Sequence, residues 1–202
     1  MTIEETSKLS YSEYVKYLLN LYGPAKCDYF NANYVKNSKG ISRTKEGLEC
    51  HHIDEDKYLL LSDSKACIAQ NVPFECQKAD RLVYCDKIEH LWLHYKIVTE
   101  FRPKTEWLDA FNCGTKFIIA SINDYYAYKE IPNTWHGNMA RKIWDKFDEY
   151  ISILLLIISD LISLNVDDDN IWPIILASYN GDTTRIEQAI TDLYNKYKNS
   201  ND

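Results

Sequence analysis

Two histidine pairs with different spacings constrain this chain most. His51 and His52 are adjacent, near the end of a stretch from Glu46 to Ile53 that reads as a short strand. His90 and His94 lie four residues apart. Between the pairs, Leu82-Val83-Tyr84-Cys85 is rich in β-formers and reads as a second short strand. Asp86 then caps a helix expected from about Lys87 to Phe101, ending before Arg102-Pro103. Strand, connection, strand and helix is the order of a ββα unit. Side chains alternate across a strand, so His51 and His52 face opposite ways. Side chains four apart on a helix stand above one another, so His90 and His94 share a stripe, separate from the face expected to be buried by Ile88, Leu91, Trp92, Tyr95 and Val98.

This arrangement points to chemistry. Two imidazoles one helical turn apart are a natural chelate for a divalent ion. One histidine of the doublet, from the facing strand, supplies a third donor and leaves a coordination position open. The other, pointing elsewhere, is then free to act as a general base on water, a task suited to imidazole. A base and a cation that stabilises negative charge are the parts phosphodiester hydrolysis needs. Upstream, residues 29 to 45 contain Lys36, Lys39, Arg43 and Lys45 and no acid. This irregular basic stretch is the expected nucleic-acid-facing segment.

The net charge is −7, which argues against binding nucleic acid by charge alone and suits a basic protein partner. The six cysteines form no C-x-x-C pair, and the first residues are polar and acidic rather than a signal peptide, so free thiols in a reducing cytoplasm are expected. The longest apolar run, from Ile151 to Ile158, is far shorter than the roughly 20 residues that cross a bilayer, and reads as a buried helix.

Elsewhere, Ser10-Tyr11-Ser12-Glu13 opens a helix with a capping box, and Gly23-Pro24 stops it. Residues 58 to 78 read as an insertion containing a short helix capped by Ser62 or Asp63. Beyond Pro103 the chain reads as helical: 105–111, a break at Asn112-Cys113-Gly114, 116–129, a long helical stretch over 137–164, whole or broken, then 172–179 and 183–197. Asp167-Asp168-Asp169 reads as a helix start, since no EF-hand glycine or glutamate accompanies it. A weak boundary near Arg102 divides a histidine region, 1–102, from a helical region, 103–202.

Taken together, Glu49-Cys50-His51-His52-Ile53, Arg81-Leu82-Val83-Tyr84-Cys85 and Glu89-His90-Leu91-Trp92-Leu93-His94 resemble the HNH, or ββα-metal, endonucleases. The likeness is to the His-His…His-x-x-x-His variant of colicin-type and phage or mobile-element nucleases. It covers about residues 46 to 98. It implies an α+β, mostly α fold: a ββα-metal core with an α-helical C-terminal half. It also implies His51, His90 and His94 as ligands of a divalent Mg, Mn, Zn or Ni ion, and His52 as the general base acting on DNA. The family's middle Asn falls on Arg81, which becomes a candidate contact to the scissile phosphate. The competing expectation is a catalytically silent HNH-like protein that binds and inhibits a nucleic-acid-handling partner, as anti-CRISPR and other anti-defence proteins do, through its acidic surface. A third keeps the metal as a purely structural ion. A homodimer through the helical half is compatible with all three.

Overall fold

The structure is a computed structural model describing residues 3–199, with the side chains of all of these except 3, 4, 38, 39 and 194–199. It is α+β and mostly α. In chain order the helices are α1 (Ile3–Ser7), α2 (Tyr11–Tyr22), α3 (Ser38–Ile41), α4 (Ser64–Ala69), α5 (Lys87–Phe101), α6 (Trp107–Ala110), α7 (Lys116–Tyr126), α8 (Trp135–Ile143), α9 (Phe147–Ser163), α10 (Asp168–Ile175) and α11 (Thr184–Asn199). Strands β1 (Glu49–His52) and β2 (Leu82–Cys85) form an antiparallel pair.

Helix α5 is the axis of the molecule. It packs on both strands and on α2, α7 and α9. Ile88, Leu91, Trp92, Leu93, Ile97 and Val98 are all buried, a wider set than one amphipathic stripe, because protein covers the helix on several sides. The larger core runs from Tyr11 to Ile190 and takes side chains from both sides of Arg102-Pro103. A smaller core gathers Tyr29, Phe30, Leu61, Cys67, Val72, Leu82 and Tyr84 beneath the sheet. β2 joins the two by alternation: Val83 and Cys85 enter the first, Leu82 and Tyr84 the second.

The helix signals act where the sequence places them. Ser10 and Glu13 form a reciprocal capping box on α2, and Gly23 ends it at φ 76°, a conformation that favours glycine. Asp86 accepts from the Ile88 and Glu89 amides while Glu89 bonds back to the Asp86 amide. Lys146, between α8 and α9, reaches the fully buried Asp86 at 2.6 Å. The helical half is thereby tied to the start of the histidine-bearing helix.

Several expectations are corrected. The break at 112–114 is instead a π-helical turn, Phe111–Thr115, continuous with α6 and α7. Phe111 and Thr115 are fully buried there, so packing holds the chain helical through Gly114. The long helical stretch over 137–164 is broken rather than whole, into α8 and α9 separated at residues 144–146. α10 begins at Asp168, earlier than expected, and contains Pro173. Asp167 stands at its N-cap position, with Asp168 and Asp169 in the first turn, where their charge complements the helix dipole. The insertion contains α4, and Asp63 rather than Ser62 caps it, accepting from the Lys65 and Ala66 amides. Among the described residues, no helix is long and apolar enough to cross a membrane.

Candidate metal centre

The register of the hairpin positions the site. Glu49 pairs with Cys85, Cys50 with Tyr84, His51 with Val83 and His52 with Leu82. Alternation turns Glu49 and His51 toward α5 and sends His52 to the opposite face, against Tyr29 of the smaller core, with ring centroids 4.5 Å apart. From α5, His90 and His94 face His51: the three rings lie 5.2 Å (His51–His90), 5.4 Å (His51–His94) and 4.9 Å (His90–His94) apart. After β1 a 3₁₀ turn, Ile53–Asp56, folds the chain back and places the Glu55 carboxylate among them. One donor atom each from His51, Glu55, His90 and His94 falls within 4.8 Å of every other, a group that could hold a metal ion.

Hydrogen bonds outside the group set the tautomers. The Tyr11 hydroxyl donates to the Ile53 carbonyl at 2.9 Å, so it accepts from His51 Nε2–H at 2.9 Å. That assignment leaves the His51 Nδ1 lone pair, buried and without a hydrogen-bond partner, aimed toward Glu55 at 3.6 Å. His90 donates from Nδ1 to Glu49 at 2.8 Å, leaving Nε2 as its free donor to a metal, and Lys87 anchors the other Glu49 oxygen at 2.8 Å. Carboxylate and hydroxyl partners of this kind orient metal-binding imidazoles. His94 Nε2 lies 3.1 Å from Glu55, while Nδ1 lies beside Gly114 of the π-helical turn. A Cβ at Gly114 would sit 3.1 Å from both Nδ1 and Cε1 of His94, so only glycine leaves that ring unpressed.

The electrostatics agree with a cation site. Burial pushes the His51 pKa well below the usual imidazole range, helped by the neighbouring histidines. Burial also lowers His90, against the opposing pull of Glu49. Burial would raise Glu55, but the surrounding imidazoles hold its carboxyl well below the ordinary range. Glu49 is likewise brought down to about 2 against its burial by His90 and Lys87. Protons on the imidazoles are what favour the ionised carboxylate, and a divalent ion bound by the neutral rings would take the place of those protons. The orphaned Nδ1 of His51 and this donor set fit a divalent ion.

His52 is fully buried. Its Nε2 lies 3.1 Å from Gln77 Oε1. Gln77 spends its NH₂ on the Leu61 carbonyl at 3.2 Å, so its oxygen accepts from His52 Nε2–H. The second nitrogen, Nδ1, has no hydrogen-bond partner and faces the other Glu55 oxygen at 3.7 Å. A side-chain amide from the insertion, that of Gln77, thus stands behind the second histidine. Arg81 is not among the gathered groups. Its guanidinium grips both oxygens of buried Asp54, one at 2.7 Å, and fastens the two ends of the insertion together.

The chain matches no protein-family model, no curated protein and no solved structure. The chemistry of the site therefore rests on its own geometry.

The basic stretch divides. Lys36 lies over Tyr29, 4.5 Å from the ring centre, one aromatic ring away from His52. Arg43 is committed to Glu46, the Tyr22 carbonyl and the Tyr84 ring. Lys45 is exposed. The Lys39 side chain lies outside the described ones. His136 stacks on Trp135 and meets the Tyr125 hydroxyl, outside the metal group. All six cysteines are free, with Cys67 and Cys76 buried in the insertion and apart from the group.

Glu55, Tyr11, Glu49 and Gln77 are the participants that sequence reasoning missed. Glu55 had a signal, a carboxylate four residues after His51, but it sits in Asp54-Glu55-Asp56-Lys57, whose polar run suggests only a turn of the chain. Tyr11 and Gln77 lie 40 and 25 residues from their partners, and no local spacing announces them.

Proposed function

We propose that this chain is a metal-dependent endonuclease of HNH type that hydrolyses phosphodiester bonds in DNA. One observation carries the reading. The unpartnered Nδ1 of His52 faces one oxygen of the Glu55 carboxylate, and the other oxygen of that carboxylate lies among the donors of His51, His90 and His94. In this reading His52 Nδ1 accepts the proton of an attacking water, with Gln77 holding the ring in the tautomer that leaves this nitrogen bare. His51, His90 and His94 would hold the ion, and the chemistry it would supply is stabilisation of charge on the phosphate and the leaving oxygen. Lys36, resting over Tyr29, is the cation of the basic stretch placed to meet a neighbouring phosphate.

The test is plasmid nicking by EDTA-stripped protein resupplied with Mg²⁺, Mn²⁺, Ni²⁺ or Zn²⁺. Cutting that needs metal and disappears in a folded His52→Ala variant supports the reading. Cutting that persists in that variant removes His52 from the base role.

A second reading has its own support. With Glu55, the protein supplies four donors, and closed four-donor sites are characteristic of structural ions. The chain would then be a catalytically silent ββα protein whose acidic surface binds a basic, nucleic-acid-handling partner. It requires that no metal supports cutting and that chelation lowers the melting temperature of the whole domain.

A further inference from the structure

The Glu55 carboxylate occupies the position where both readings meet. One oxygen lies 3.1 Å from His94 Nε2 and 3.6 Å from His51 Nδ1. The other lies 3.7 Å from His52 Nδ1. It therefore fills the space between the proposed base and the proposed ligands, where an attacking water and a phosphate oxygen would have to lie. The groups gathered around it are imidazoles, and no lysine or arginine among the described residues forms an ion pair with it. The chain just before it is held in place. Asp54 is fixed by Arg81 and Lys57, and Ile53 by Tyr11. Only side-chain rotation is needed to take the carboxylate away. The side chains of Glu55, His90 and His94 are 16%, 16% and 18% exposed, so the group opens to solvent on one side.

We propose that Glu55 is a displaceable fourth ligand. In the resting protein its carboxylate closes a set of three nitrogens and one oxygen around the ion. An anionic phosphate oxygen takes its place when substrate arrives. Both anions carry one negative charge, so the exchange leaves the charge of the site unchanged. Glu55 is thus a built-in competitor for the phosphodiester, and its departure is what opens the position beside His52. The inference rests on the metal site of the preceding reading but not on cleavage.

The experiment is visible spectroscopy of EDTA-stripped protein loaded with Co²⁺, for wild type, Glu55→Ala and the near-isosteric Glu55→Gln, titrated with inorganic phosphate. A closed four-donor site gives wild type intense tetrahedral bands, which shift in position and intensity as a phosphate oxygen replaces that of Glu55. In Glu55→Ala the bands start weaker, Co²⁺ binds about 10-fold more weakly or worse, and the response to phosphate comes at lower concentration. Glu55→Gln keeps the shape of the side chain but loses its charge and moves the same way. Spectra, affinity and phosphate response equal to wild type in both variants overturn the proposal. So do wild-type bands that saturating phosphate leaves untouched. A protein with these spectral changes and no nicking activity would retire the nuclease reading and leave this one standing.

Discussion

Tyr11→Phe removes one oxygen atom and tests how the site is prepared for metal. The ring stays: Tyr11 is 3% exposed and packs edge-on against His51 and Phe101, contacts that phenylalanine reproduces. Two hydrogen bonds are lost, from His51 Nε2 and to the Ile53 carbonyl, each 2.9 Å. Leaving such buried groups unpaired costs about 1–3 kcal/mol of folding stability. The larger consequence is tautomeric. With no acceptor at Nε2, the proton of His51 moves to Nδ1, where Glu55 lies 3.6 Å away, and the lone pair turns out of the site. Loss of an orienting partner of this kind lowers metal affinity by about 10–100-fold. Zn²⁺ affinity measured by chelator competition, with urea melts of the metal-free proteins alongside, separates the two effects. A Tyr11→Phe protein that binds Zn²⁺ as tightly as wild type would refute the tautomer argument, whatever its stability.

Three further outcomes follow from the same contacts. Arg81→Ala should cost about 1–2 kcal/mol in a urea melt, a modest figure because Arg81 is 38% exposed while the Asp54 it abandons is 6% exposed. Burial would raise the Asp54 carboxyl, but Arg81 and Lys57 bring it down to about 2. The stability difference between wild type and Arg81→Ala is therefore full above about pH 4, the unfolded carboxyl range, and vanishes as pH falls through about 2. A difference that grows with acid would refute the pairing. Gln77→Leu strips the acceptor from His52 Nε2–H inside a fully buried pair, and should cost about 1–3 kcal/mol and abolish nicking while Zn²⁺ affinity holds. Gly114→Ala presses a methyl on His94 and should weaken metal binding, although alanine is the better helix former by about 1 kcal/mol. Unchanged Zn²⁺ affinity there would show that the π-helical turn does not set the His94 ring.

Much of the site's frame was legible because its signals are local. β2 and α5 fall where the β-formers and the Asp86 cap place them, and alternation within two residues separates His51 from His52. The three imidazoles of the metal group follow from those two periods. What was not legible acts across distance. Gln77 comes to His52 from the far end of an insertion whose sequence shows only a short helix, and is held there by its bond to the Leu61 carbonyl. Tyr11 comes from a helix whose own pattern predicts packing only. The π-helical turn at 111–115 persists through Asn112-Cys113-Gly114 because its neighbours bury Phe111 and Thr115, and local propensity carries no information about that. Arg81, read as a phosphate contact from its place in the motif, meets an acid that lies 27 residues away in sequence.

The most direct test of the central claim is X-ray absorption at the zinc edge of EDTA-stripped protein reloaded with one equivalent of Zn²⁺. A centre built by His51, His90, His94 and Glu55 predicts a first shell of nitrogen and oxygen only, at about 2.0–2.1 Å, with the outer scattering of three imidazoles. Sulfur at about 2.3 Å, or failure of the folded protein to retain the ion, would contradict it.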